Sequence, residues 1–144
     1  MLKIGKQKEQ EFARFFRNVT ESTQEQDMKE HWDLNVRYDV KMIRRKLRHG
    51  GFDETIHWVE LKNVHGDTGW LYGQADYFAF EIEDYWISVA KEDLQKLIEE
   101  KCKDKRWSNV PELYLLYSRK GRKDIITLVK TIDLMYISSS IIKK

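Results

Sequence analysis

Thr55-Ile56-His57-Trp58-Val59-Glu60-Leu61-Lys62-Asn63-Val64 is rich in β-branched and aromatic residues, the composition of a strand lying on a half-buried pleated surface. Upstream, residues 32–42 place Trp32, Leu34, Val36, Tyr38, Val40 and Met42 at even positions, and Asp33, Asn35, Arg37, Asp39 and Lys41 at odd ones. A period of two sends the first set to a core and the second to a polar face. The intervening His-Gly-Gly-Phe-Asp-Glu, residues 49–54, supplies Gly50, Gly51 and Asp53 for a turn, so the two stretches are expected to pair as a hairpin.

Helical and further strand patterns flank this hairpin. Residues 5–19 carry Phe12, Ala13, Phe16 and Val19 at the spacing of one helical face, and residues 20–29 read as a polar connection. Beyond the hairpin, residues 70–82 are expected to begin as a helical turn and run into a strand, with residues 85–89 as another strand. Residues 91–103 put Leu94, Leu97 and Ile98 on one helical face, and residues 112–130 suggest two strands around Gly121. An apolar element of open type spans residues 134–142. The class expected is α/β (α+β), a mixed sheet flanked by helices, as one domain over residues 1–144.

The bulk composition agrees with a folded chain. At 144 residues, 41% hydrophobic and 35% charged, with one proline, the sequence has the size and balance of a compact domain. Twenty-six basic against 24 acidic residues leave a net charge of +2, which excludes a purely electrostatic coat for nucleic acid and makes any basic surface local. Cys102 is the single cysteine, so neither an internal disulfide nor a cysteine-built zinc site is available. It reads as a bystander on a charged helix. With no signal-like apolar run at the N-terminus and no long apolar stretch, a cytoplasmic protein without membrane contact is expected.

The chemistry-bearing residues lie on the hairpin, which twice presents an acid, one apolar residue and a lysine: Asp39-Val40-Lys41 and Glu60-Leu61-Lys62. Residues two apart on a strand share a face, so each acid should stand beside its lysine. Carboxylates that hold Mg²⁺ beside an ammonium group are what phosphodiester hydrolysis needs. A single such pair is the ordinary dress of a solvated sheet face; two copies about equally far from one turn could meet by antiparallel pairing.

Here the chain resembles the PD-(D/E)XK nuclease superfamily, in particular its compact phage and resolvase-like members. The likeness rests on Gly5-x-x-x-Glu9-x-x-Phe12-Ala13, His31-Trp32-Asp33, Asp39-Val40-Lys41, Trp58-Val59-Glu60 and the segment from Gly69 to Tyr77, within about residues 5–100. It implies a restriction-endonuclease-like fold, catalysis with Mg²⁺ or Mn²⁺, and cleavage of DNA. Carried over, it makes Asp33 and Asp39 metal-binding carboxylates, Lys41 the catalytic lysine and Glu60 a further acid, with Glu9 reaching in from the first helix. On one unbroken strand, however, Asp33 and Asp39 stand about 20 Å apart, too far to share an ion. Either Asn35 turns the chain back, or Asp39 is the isolated acid and Glu60-Leu61-Lys62 the acid-x-Lys motif.

Other residues carry weaker signals. His31, His49, His57 and His65 lack zinc-site spacing; His57 or His65 could act as a proton carrier, although structural roles are commoner. Arg44, Arg45, Lys46 and Arg48 beside the first turn, and Arg122 and Lys123 in the Arg119–Lys123 cluster, could grip a phosphate backbone, or simply be solvated tips. Trp70 and Tyr72, flanked by glycines, are candidate DNA contacts, and Gln74 and Asp76 either support a metal site or cap a short helix. The function expected is a metal-dependent endodeoxyribonuclease, in keeping with a phage protein, with a homodimer as a possible assembly. The alternatives are a catalytically inactive module of the same fold that binds nucleic acid or a host protein, and a structural or inhibitory phage protein.

Overall fold

A computed structural model describes residues 36–42 and 53–144. The helix expected over residues 5–19, the acids Glu9 and Asp33, and the cluster Arg44, Arg45, Lys46 and Arg48 lie outside the described residues.

The fold is mixed α/β. Six strands are described: β1 (Tyr38–Lys41), β2 (Ile56–Lys62), β3 (Tyr77–Glu81), β4 (Tyr85–Ala90), β5 (Ile125–Lys130) and β6 (Ser140–Lys143). Helix α1 (Lys91–Lys101) follows β4, helix α2 (Thr131–Ile137) follows β5, and Trp70–Tyr72 forms a 3-10 turn before β3. The strands make a four-stranded sheet in the order β1-β3-β4-β6 and a two-stranded sheet of β2 and β5.

Among the described residues, β1 and β2 do not pair as the expected hairpin. β1 runs parallel to β3, Tyr38 opposite Tyr77 and Lys41 opposite Phe80, whereas β2 pairs antiparallel with β5. Local anchors explain the choice for β1. The Asp76 and Tyr77 amides both donate to the Arg37 carbonyl at 2.8 and 3.1 Å, the Arg37 amide donates to the Asp76 carboxylate at 2.9 Å, and the Tyr38 and Tyr77 rings stack at 5.4 Å. β2 finds in Ile-Ile-Thr-Leu-Val-Lys a partner richer in β-branched residues than itself. The strand expected before Gly121 reduces to bridges at Leu113, Leu116 and Tyr117, and the C-terminal element divides into α2 and β6.

The alternation of the strands sets the core. Phe78 and Phe80 of β3, with Ile87 and Val89 of β4, face a cluster completed by Val59, Leu94 and Leu134. On the other face, Ala79, Trp86 and Ile142 pack with Tyr38 and Val40. In α1, Leu94, Leu97 and Ile98 are buried as the spacing predicted, with Glu92 and Asp93 in the first turn and Lys101 in the last, each at the favourable end of the helix dipole. Gln95 reaches from this helix to donate to the Leu71 carbonyl at 3.0 Å, holding the 3-10 turn against it. Among the described residues no helix is long and apolar enough to cross a membrane.

Candidate functional site

The loop after β2 builds the site. Asn63 turns the chain, its side-chain oxygen accepting the His65 and Asp67 amides at 3.0 Å each, while Gly66 takes a φ of 84° that favours glycine. The chain then returns so closely that a Cβ on Gly69 would lie 2.6 Å from the Glu60 carbonyl oxygen. The Gly69 amide donates to the Leu61 carbonyl at 2.9 Å, and the Trp70 amide donates to the Glu60 carboxylate at 3.3 Å. Trp70 is thereby fixed beside Glu60.

Trp70 is also where β1 arrives. The Lys41 ammonium lies 4.2 Å from the centre of the Trp70 ring and 3.0 Å from the Asp39 carboxylate, with side-chain exposures of 22% for Lys41 and 30% for Asp39. Lys41, Glu60 and Trp70 line one cavity of about 520 Å³, together with Trp58, Tyr117 and Arg119. Asp39 and Lys41 thus keep the shared face that the sequence implied, and they reach Glu60 through Trp70 instead of through strand pairing.

The second acid-x-Lys motif is split. Glu60 pairs with Ile126 and Lys62 with the adjacent Ile125, so Leu61 is the extra residue of a β-bulge. Glu60 lines the first cavity, whereas Lys62 lines a second one of about 970 Å³. The expectation that Glu60 and Lys62 stand side by side on one face is corrected by this bulge.

The remaining candidates sort by contact. Trp70 packs edge-on against Phe78 at 4.9 Å and carries Lys41 over its ring, so it is a structural post and a poor platform for a base. Tyr72 is 41% exposed in the second cavity; burial of its hydroxyl and the nearby Glu99 raise its pKa, keeping it a donor, and it donates to Glu99 at 3.4 Å. Gln74 and Asp76 hold Arg37, which accounts for both without metal binding or helix capping. Arg122 and Lys123 are exposed beside the 63–67 loop and line neither cavity. Cys102 is buried and its thiol donates to the Tyr114 carbonyl at 3.4 Å; burial raises its pKa.

Further residues complete the lining of the first cavity. Arg119 is held by buried Asp124: burial alone would raise that carboxyl's pKa, but the side-chain and backbone hydrogen bonds of Arg119 outweigh it and hold the pKa low. Trp58 stacks on Tyr117 at 6.5 Å. His57, 5% exposed, also borders the cavity; burial lowers its pKa to about 4, and among the described residues its Nε2 has no hydrogen-bond partner. A neutral imidazole at neutral pH follows.

Glu60 lines the cavity and accepts from the Trp70 amide, whereas Asp39 is bonded to Lys41 and is not itself among the residues lining the cavity. Among the described residues no trio of His, Cys, Asp or Glu gathers. Two carboxylates suit Mg²⁺, which commonly takes one or two of them with waters and substrate phosphate; they do not suit a closed tetrahedral zinc site. Comparison with known proteins adds no further constraint: no family model matches the chain, and neither does any curated protein or solved structure.

Proposed function

We propose that the protein is a metal-dependent phosphodiesterase that cleaves DNA, of the restriction-endonuclease-like type its sequence resembles. The observation that carries this reading is the meeting of Lys41 and Glu60, from different sheets, at Trp70 in one cavity, with Asp39 bonded to Lys41. Asp39 and Glu60 are the residues to hold Mg²⁺ or Mn²⁺. A bound ion of this kind polarises a phosphoryl oxygen and makes a coordinated water more acidic. Lys41, paired with Asp39, and Arg119, paired with Asp124, both line this cavity, and each keeps N–H donors beyond its ion pair for a phosphate entering it. The Trp70 ring and the Asp39 carboxylate fix the Lys41 ammonium before substrate arrives, which lowers the ordering cost of a long side chain.

The test is a panel of plasmid, linear, single-stranded and branched DNA incubated with Mg²⁺ or Mn²⁺, with EDTA and Asp39→Ala controls. Cutting that needs the metal and is lost in the variant is expected; intact DNA throughout overturns the reading. A second reading, a module of this fold that binds nucleic acid or a host protein without cleaving it, is favoured by the Asp39–Lys41 ion pair, which already neutralises the carboxylate assigned to the metal. Under that reading, neither Mg²⁺ nor Mn²⁺ raises the melting temperature.

A further inference from the structure

We infer that the second cavity is a subsite for single-stranded nucleic acid, where Trp107 and Tyr72 stack bases and Lys62, Lys103 and Lys105 hold the backbone. This deepens the phosphodiesterase reading and rests on it for the class of ligand.

Trp107 is 56% exposed. An exposed tryptophan on a loose loop says little, but this one is held in place. The Leu116 amide donates to the Arg106 carbonyl at 2.8 Å, the Ser108 amide donates to the Leu116 carbonyl at 2.9 Å, and Leu116 itself is buried. Trp107 therefore forms a strand-like bridge with the core while its ring stays in solvent. Just before it, Lys105 adopts a left-handed backbone, φ 47°, a conformation rare outside glycine and concentrated at functional sites.

Tyr72 lines the same cavity as Trp107, and Ile98, Leu116 and Ile125 give it an apolar part. Three lysines line this cavity against two acids, Asp67 and Glu99, and Glu99 is engaged by the Tyr72 hydroxyl. Exposed aromatic faces with lysines and apolar side chains match a chain of bases joined by phosphates, because every base offers a π-face and every linkage a negative charge.

The bulge ties this cavity to the first. β2 sends Glu60 to one cavity and Lys62 to the other, and the 3-10 turn does the same with Trp70 and Tyr72. The two cavities thus share β2 and the 3-10 turn as a common boundary, with Lys41 and Glu60 on one side and Lys62 and Tyr72 on the other.

The test uses the full chain and a fluorescein-labelled single-stranded oligodeoxynucleotide, with anisotropy read in EDTA so that binding is separated from cleavage. Trp107→Ala is expected to weaken binding about 5- to 100-fold with an unchanged melting temperature, and Trp107→Phe to restore most of it. The Lys103→Ala/Lys105→Ala double variant should lower the slope of log affinity against log salt by about 1.4. Wild-type affinity in Trp107→Ala, or no binding by the wild type, overturns the subsite. The two readings fail separately: Trp107-dependent binding without metal-dependent cutting removes the enzyme and keeps the subsite, while cutting that is indifferent to Trp107 does the reverse.

Discussion

His57 is 5% exposed, its ring lies 5.3 Å from that of Phe80, and burial, partly opposed by the charges of Asp53 and Glu81, lowers its pKa to about 4. In the unfolded chain the imidazole titrates near about 6.5. Between those values the unfolded chain holds the proton and the folded one does not, so stability is highest above pH about 6.5 and falls as the pH drops toward 4. The gap of about 2.5 pH units corresponds to about 3 kcal/mol at most. Urea unfolding between pH 4 and 7 should show this slope in the wild type and lose it in His57→Gln; equal slopes would contradict the burial account. Gly69 makes a second residue-scale prediction. Since an added methyl would strike the Glu60 and Leu61 backbone, Gly69→Ala should cost about 1–3 kcal/mol in the same assay and slow cleavage by displacing Trp70 from Glu60. A variant as stable and active as the wild type would contradict this.

Among the elements, β2 with its bulge decides most about function. Because Leu61 is the extra residue, Glu60 and Lys62 lie in separate cavities, and the lysine that shares a site with Glu60 is Lys41 of β1. Lys41→Ala should therefore lower the rate constant for cleavage, whereas Lys62→Ala should raise KM and leave kcat near wild type. Kinetics in which Lys62→Ala loses kcat and Lys41→Ala does not would restore the other assignment. The same elements show what could be read from the sequence. The β-branched and aromatic composition of residues 55–64, the helical spacing of Leu94, Leu97 and Ile98, and the helical turn running into a strand over residues 70–82 are local patterns, and each corresponds to an element of the fold. Strand pairing is not local: the partners of β1 and β2 are set by Arg37 with Asp76 and by the residues of β5, far along the chain. Asp39, Lys41, Glu60 and Trp70 were visible as acids, a lysine and an aromatic beside glycines, but their convergence depends on the return loop at Asn63 and Gly69. Arg119 was marked only as one member of the basic cluster at residues 119–123 and Trp107 by no pattern at all; their contacts with Asp124 and Leu116 give them a place.

At the scale of the whole molecule, a net charge of +2 is too small to draw nucleic acid by a general field. On the proposed reading attraction is local, and the residues assigned to it line the two cavities on either side of the β2 bulge, Lys41 and Arg119 in one, Lys62, Lys103 and Lys105 in the other. The two-stranded sheet and α1 grip the 3-10 turn between them, so the wall separating the cavities is built from β2, the turn and the Asn63 loop. On the proposed function, Asp39 of one sheet and Glu60 of the other act at a single metal-dependent site. Single-turnover cleavage with Mg²⁺ by the wild type, Asp39→Asn, Glu60→Gln and the double variant tests this. Each single substitution is predicted to slow cleavage by about 10²-fold or more, and the double no further than the slower single, since residues acting as one unit are not additive. Additive losses, or a folded single variant that cleaves at the wild-type rate, would contradict it.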